Sequence, residues 1–173
     1  MATTRTSQRI PVVIAKLAII FGTVLGMEIV AIVVHKYIMH GPLGWGWHES
    51  HHKVTPGHFE RNDLYAVVFS GLSAGLFIAG SLLWWPLWYV AIGMAVYGAL
   101  YYFVHDGLVH QRWPFNYTPK SGYLYRLVLA HRMHHHTIGR EGSVSFGFLW
   151  AEKPEDLKKR LKASRKVQPA TQG

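Results

Sequence analysis

The sequence of 173 residues contains no cysteine. Disulfide bonds, iron–sulfur clusters, cysteine–zinc sites and thiol catalysis are therefore excluded. Charged residues make up only 16% of the chain, whereas an ordinary soluble domain has roughly 25%. Residues 64–104 contain no Asp, Glu, Lys or Arg, and this run is too long for a core element of a water-soluble protein. Together these absences exclude an ordinary soluble enzyme, a disordered chain and a fibrous protein.

Three apolar stretches are long enough to cross a bilayer as helices. Residues 12–34 form the first stretch. The charge-free run divides at Pro86 into stretches over 64–83 and 87–104, because proline interrupts a helix. A fourth apolar stretch, residues 123–130, is too short to span and predicts an interfacial or re-entrant helix. The predicted fold is an all-α integral membrane protein with about three transmembrane helices.

The positive charge of the chain is unevenly distributed. The net charge is +9, and residues 105–173 hold twelve of the 18 Lys and Arg residues. Because Lys and Arg concentrate in cytoplasmic segments, the face that carries the C-terminal tail is predicted to be cytoplasmic. We expect an N-terminal segment over 1–11, a membrane domain over 12–151 and a basic tail over 152–173. The basic sequence of the tail predicts a helix that lies at an aqueous or lipid surface. Nucleic-acid binding is not expected.

The chain has twelve histidines, and all of them fall within residues 35–58 and 105–136. Each of these two windows contains an HxxxxH pair followed by an HxxHH motif. The motif histidines are His35, His40, His48, His51 and His52 in the first window and His105, His110, His131, His134 and His135 in the second. Two membrane crossings separate the windows, so both are expected on one membrane face. His58 belongs to neither motif.

The spacing of each motif predicts how its side chains are arranged. Positions i, i+3 and i+4 fall within an arc of about 100° on a helix, so each HxxHH is expected to converge on one point. The i, i+5 spacing of HxxxxH does not suit a regular α-helix. It requires the helix to end or distort near the second histidine, where Gly41 follows one pair and Gly107 lies inside the other.

Ten clustered imidazoles predict a metal centre, because neutral imidazole is a common ligand of iron, copper and zinc. A single structural zinc takes four ligands, so eight to ten histidines indicate two metal ions. A bis-histidine haem carrier would need histidines opposed inside the spans, and a metal transporter would place ligands near the bilayer midplane. No histidine lies inside the spans, and Glu28 is the one acidic residue there, so a metal transporter remains a less favoured alternative. No dinucleotide-binding GxGxxG motif occurs, so electrons are expected from a separate protein that docks on the basic face.

The residues between the histidines make the sequence recognisable. It resembles the bacterial beta-carotene 3-hydroxylases, which are membrane histidine-motif di-iron enzymes of the fatty acid hydroxylase/sterol desaturase superfamily. The resemblance covers about residues 12–151. The residues that carry it are Gly26-Met-Glu28, the segment from His35 to Gly41, Gly44-Trp-Gly-Trp-His48, the segments 62–69 and 105–115, and Val144-Ser-Phe-Gly-Phe148.

The resemblance implies an O2-dependent monooxygenase that hydroxylates carbon 3 of the beta-ionone rings, so that beta-carotene becomes beta-cryptoxanthin and then zeaxanthin. It further implies two non-haem irons held by the ten motif histidines, a ferredoxin-type electron donor and a carotenoid substrate dissolved in membrane lipid. The expected location is the bacterial inner membrane, with the active site on the cytoplasmic face. Related carotenoid ketolases, desaturases and lipid hydroxylases share the histidine scaffold and remain alternatives. His136 departs from the family motif, which ends at the preceding histidine pair.

Two carboxylates lie close to the histidine motifs in the sequence, and each has two possible roles. Glu28 shares a helix face with His35, and an acidic residue at membrane depth is functional by default. It could bond a ligand imidazole or, alternatively, a neighbouring helix. Asp106 could orient a ligand other than its neighbour His105, or it could pair with Arg112 at a helix end.

Overall fold

The computed structural model describes residues 3–53, 59–114 and 116–167, and within these ranges every regular element is helical. Helices α1 and α4 continue directly into π-helical segments, which we call the first and second π segments. The elements in chain order are α1 (Thr3–Val33), the first π segment (Val34–Met39), α2 (Trp45–His52), α3 (Asp63–Leu82), α4 (Pro86–Tyr101), the second π segment (Tyr102–Val109), α5 (Gly122–His134) and α6 (Pro154–Val167). The predicted all-α fold is confirmed.

Three helices in the described ranges are long and apolar enough to cross a membrane: Arg9–Met39, Asp63–Leu82 and Pro86–Val109. Their outer surfaces are apolar, and Phe21 and Ile29 are 66% and 65% exposed. Such large apolar exposure is typical of a surface that lipid covers. The chain is therefore an integral membrane protein with about three spans, as predicted. The first helix begins at Thr3 and includes Pro11, so it is longer than the predicted span over 12–34.

The described chain divides into two compact units, of which the first comprises Met1–Met27 and Tyr65–Ala99. Close helix packing in this unit depends on glycine at position 93. A Cβ atom on Gly93 would lie 2.5 Å from Cβ of Thr23 and 2.9 Å from the carbonyl oxygen of Ile20. Small residues are needed where helices approach this closely. The Ser73 hydroxyl donates to the carbonyl of Ala91 at 3.1 Å, which joins α3 to α4.

The second unit comprises Glu28–Leu64 and Leu100–Gly173 and contains all ten motif histidines. In this unit α2 packs on the first π segment, and α5 packs on the second π segment and on α6. Helix α5 extends past the predicted stretch over 123–130 and carries His131 and His134 at its C-terminal end. Its predicted interfacial position remains a prediction.

Helix α6 has one face in the core of this unit. Its Leu157 and Leu161 pack in a buried cluster with Ala130 and Met133 of α5 and with Val144. The opposite face carries exposed lysines and fits the predicted surface role. The tail is thus partly a structural element. The predicted boundaries at residues 11 and 151 remain predictions.

Candidate metal centre

The two π segments position the HxxxxH pairs. The backbone N–H of His40 donates to the carbonyl of His35 at 3.0 Å, and that of His110 donates to His105 at 2.9 Å. These are i→i+5 hydrogen bonds, which define a π turn. A π turn brings residues five apart together, so each pair faces the same side. The expected helix distortion is confirmed. Gly107, inside the second pair, lets the Trp113 indole pack directly against the second π segment, because a Cβ there would collide with that indole.

The ten motif histidines form two groups of five, in which neighbouring Nε2 atoms are 2.9–3.3 Å apart. Four members of each group have ligand atoms within 4.8 Å of one another. His52 joins the first group through His48, and His135 joins the second through His131. The first histidine group is His35, His40, His48, His52 and His134, and the second histidine group is His51, His105, His110, His131 and His135.

Each HxxHH motif contributes to both groups. His48 and His52 lie in the first group, whereas His51 lies in the second. In the other motif, His131 and His135 lie in the second group and His134 lies in the first. The expectation that each motif converges on one point is therefore wrong. On a helix the i+3 and i+4 side chains lie on opposite sides of position i, about 100° apart, so they can reach separate points.

The Nδ1 atoms of the histidines are bound to oxygen acceptors. In the described part of the chain, seven of the ten have such a partner at 2.7–3.1 Å. An Nδ1–H that donates to oxygen leaves Nε2 without a proton and free to bind a metal. The pairs are His35–Phe146 O, His40–Arg140 O, His48–Asn62 Oδ1, His52–Thr137 O, His134–Val144 O, His51–Glu60 Oε2 and His105–Asp106 Oδ1.

Burial keeps these imidazoles neutral. It lowers the pKa of His48 to about 3, of His52 to about 4 and of His135 to about 2. The pKa of His110 is lowered to about 4, mainly by burial and next by the positive charge of Arg112. Imidazolium is disfavoured where water is excluded. Unprotonated Nε2 atoms therefore face one another at short range at neutral pH, an arrangement that a cation between them would stabilise.

The donor set fits a transition metal. Two nitrogens bound to one metal at roughly 2.1 Å and at right angles lie about 3.0 Å apart, close to the spacings within each group. Imidazole nitrogen suits iron, copper, zinc and nickel, whereas calcium and magnesium take oxygen ligands. The two groups could therefore each hold a metal ion of this class.

Glu28 has a role that differs from both expectations. Its Oε1 accepts backbone hydrogen bonds from Phe148 and Leu149 at 3.0 Å and from Trp150 at 2.9 Å. The carboxylate thus anchors the segment after α5, and in this segment the Phe146 carbonyl accepts the Nδ1–H of His35. Glu28 supports a histidine through a loop.

A polar network at the second histidine group was not predicted as a whole. Glu60 accepts from His51 at 2.8 Å and pairs with Arg112 at 2.7 Å. Arg112 also pairs with Asp63 at 2.8 Å and lies 3.9 Å from Asp106. The carboxylate of Asp106 accepts a hydrogen bond from His105, the residue next to it in the sequence. The expectation that Asp106 orients a different histidine is therefore wrong. In the sequence, Glu60 and Asn62 are marked only by being polar residues between a histidine motif and a span, which is a weak indication of a role in the site.

The two remaining histidines lie differently. His136 is exposed and belongs to neither group among the described residues, whereas His135 reaches His131. This geometry favours the motif that ends at His135. His58 lies outside the described residues.

The fold and the site together define an all-α membrane protein with histidine clusters that could hold metal ions. A family model described as fatty acid hydroxylase matches residues 20–152. The chain belongs to the fatty acid hydroxylase family.

Curated relatives give a more specific likeness. The chain is 55% identical over 152 residues to the beta-carotene hydroxylase of Paracoccus sp. (strain PC1), covering 87% of this chain and 93% of the relative. It is 62% identical over 133 residues to the beta-carotene hydroxylase of Pantoea ananas, covering 77% and 75%. The chloroplastic beta-carotene 3-hydroxylase of Haematococcus lacustris is 39% identical over 148 residues, covering 82% of this chain and 44% of the relative. No solved structure matches significantly.

These similarities confirm the resemblance to the bacterial hydroxylases, and the chain is an oxidoreductase enzyme.

Proposed function

We propose that the chain is a beta-carotene 3-hydroxylase. It would use O2 to place a hydroxyl group on carbon 3 of each beta-ionone ring, so that beta-carotene becomes beta-cryptoxanthin and then zeaxanthin. The names of the similar bacterial proteins support a carotenoid substrate. The observation that carries the chemistry is the convergence of histidine Nε2 atoms in two groups.

The ten motif histidines hold two non-haem irons in this proposal, one in each histidine group. Iron in these positions supplies the O2-dependent oxidation that a saturated carbon requires. The chain contributes neutral imidazoles whose Nδ1–H groups are tied to oxygen acceptors, so that each Nε2 is aimed in advance. It also keeps water away, since His35, His48 and His134 are at most 2% exposed.

The position of hydroxylation depends on how the chain holds the ring. Carbon 3 is one carbon removed from the allylic position, whose C–H bond is weaker. Reaction at carbon 3 therefore requires the protein to present that carbon and to keep the weaker bond out of reach. A carotenoid dissolves in the bilayer, and the apolar spans give it access from lipid.

The distribution of positive charge supports a proposal for the electron donor and for the location of the protein. We propose a ferredoxin-type donor, which is acidic, docked on a basic aqueous face. Helix α6 presents Lys158, Lys159 and Lys162 as exposed residues. The proposed location is the bacterial inner membrane with the centre on the cytoplasmic side, in agreement with the excess of Lys and Arg over residues 105–173.

Expression in a host that makes beta-carotene and no further product tests the function. We expect beta-cryptoxanthin first and zeaxanthin later, with oxygen from labelled O2 in the new hydroxyl groups. A His134→Ala variant should form neither product, and the matched His136→Ala variant should form both. Products with only 4-keto groups would indicate a ketolase, and an added ring double bond would indicate a desaturase. Hydroxylated lipid without a carotenoid product, or metal movement across vesicles, would also overturn the proposal.

A further inference from the structure

The two histidine groups differ in the oxygen atoms that hold their Nδ1 atoms. In the first group all five acceptors are neutral. Four are backbone carbonyls, and the fifth is the side-chain amide oxygen of Asn62, which lies 2.7 Å from Nδ1 of His48. Neutral acceptors orient an imidazole but add little negative charge to it.

In the second group the acceptors found in the described ranges are carboxylates. Glu60 Oε2 lies 2.8 Å from Nδ1 of His51, and Asp106 Oδ1 lies 2.7 Å from Nδ1 of His105. These contacts are shielded from water, since the side chains of His51 and His105 are 1% and 3% exposed and those of Glu60 and Asp106 are 15% and 14% exposed. A carboxylate that accepts from Nδ1–H makes the imidazole a more basic metal ligand.

Arg112 holds the first of these carboxylates in place. Glu60 uses Oε1 to pair with Arg112 at 2.7 Å and keeps Oε2 for His51. The same guanidinium pairs with Asp63 at 2.8 Å. One cation thus faces three carboxylates, those of Glu60, Asp63 and Asp106. The network retains negative charge beside the second histidine group and has no counterpart among the acceptors of the first.

We propose that the two metal positions are unequal: the second histidine group binds its metal more tightly than the first, and Glu60 and Asp106 are the positioning residues that cause the difference. This inference rests on the proposed function, in which both groups hold iron. Loss of a partner that orients a metal-bound histidine typically lowers metal affinity by about 10- to 100-fold. The same factor is the expected size of the difference between the two groups.

The experiment is a chelator titration of the full chain, purified in detergent and loaded with ⁵⁷Fe. Wild-type protein should retain two irons and release them at chelator concentrations that differ by about tenfold or more. Glu60→Gln should shift only the later release to lower chelator concentration, by about 10- to 100-fold. Mössbauer spectra should contain two iron signals, of which Glu60→Gln changes one. Glu49→Gln alters an exposed carboxylate that pairs with Lys53 and should change neither release.

A gain-of-affinity variant keeps the inference testable if Glu60→Gln does not fold. Asn62→Asp places a carboxylate of the same shape at Nδ1 of His48, so it should move the earlier release towards the later one. Two irons released together by the wild type, or equal weakening of both by Glu60→Gln, would overturn the inference. So would an Asn62→Asp variant in which the earlier release is unchanged. Product formation remains the test of the proposed function, so active enzyme with two equivalent irons rejects this inference alone.

Discussion

The backbone N–H of His40 donates to the carbonyl oxygen of His35 at 3.0 Å. This hydrogen bond spans five residues, so it closes a π turn in which both imidazoles face the first histidine group. His105 and His110 repeat the relationship for the second group at 2.9 Å. The HxxxxH spacing is therefore the spacing of a π turn, and the two π segments at the ends of α1 and α4 are part of the site.

The register of the last histidine motif is testable. His135→Ala should abolish product formation and lower the bound iron, because its Nε2 lies 2.9 Å from that of His131. His136→Ala should keep most of the activity, since His136 is exposed. His52→Ala should behave like His135→Ala, and His58→Ala should behave like His136→Ala. An inactive His136→Ala beside an active His135→Ala would show that the assigned register is off by one.

Glu28→Ala should destabilise the second unit. It removes the acceptor of three backbone N–H groups. Those of Phe148 and Leu149 are part-buried, and a buried donor without an acceptor costs about 1–3 kcal/mol. We expect a lower midpoint of thermal unfolding and less bound iron, because the loop with the Phe146 carbonyl loosens around His35. Glu28→Gln keeps an acceptor oxygen and should be milder. The matched control Glu49→Ala lies on the surface and should change stability by less than about 0.5 kcal/mol; an equal loss in both variants would contradict the anchoring role.

The tail helix should contribute to stability through its buried face. Leu157 is 0% exposed in the cluster with Ala130 and Met133, so Leu157→Ala should lower the free energy of unfolding by about 2–5 kcal/mol. Lys159→Ala on the exposed face is the control and should leave stability nearly unchanged. Deletion of the residues after Lys153 should impair stability or electron delivery more than the chemistry, because no histidine motif lies there. Complete loss of iron from a folded truncated protein would refute this prediction.

Acid should destabilise the metal-free protein. Burial lowers the pKa of His48 to about 3 and that of His52 to about 4, whereas an unfolded histidine has a pKa of about 6.5. Below pH 6.5 the unfolded chain therefore binds more protons than the folded chain, and stability falls until the folded pKa values are reached. Thermal unfolding of chelator-treated protein should show full stability above pH 7 and a progressive loss between about pH 6.5 and 3.

The variant His48→Gln provides the comparison for the acid profile. It removes one of these titrating groups, so its stability should fall less steeply over the same pH range. His136→Ala should reproduce the wild-type profile. A wild-type profile that is flat from pH 7 to pH 4 would show that the histidines are not held neutral by burial.

Membrane orientation can be tested with topology reporters. A reporter fused after Lys166 should report a cytoplasmic location, and one inserted between Trp85 and Pro86 should report a periplasmic location, because Lys and Arg concentrate over residues 105–173. The reverse result at both sites would invert the proposed orientation. A shared metal centre would be contradicted if reporters placed residues 35–58 and 105–136 on opposite faces of the membrane.

The sequence by itself determined the class of the molecule. The charge-free run over 64–104 and the apolar stretch over 12–34 predicted the spans, since the bilayer excludes charge over a known thickness. The order of HxxxxH and HxxHH predicted that two distant windows serve one centre, because two crossings return the chain to the same side. The π distortion was also foreseeable, since five-residue spacing does not fit a regular helix.

Only the tertiary structure decided how the histidines are shared and what holds them. His51 and His134 belong to a different histidine group from the other members of their motifs. This division depends on where α2 and α5 pack and not on local spacing. The acceptors of Nδ1 come from residues far along the chain, such as Phe146 for His35. Many of these acceptors are backbone carbonyls, which every residue possesses and which no sequence pattern marks. The negative charge near the second group likewise arises from a fold-dependent meeting of Glu60, Asp106 and Arg112.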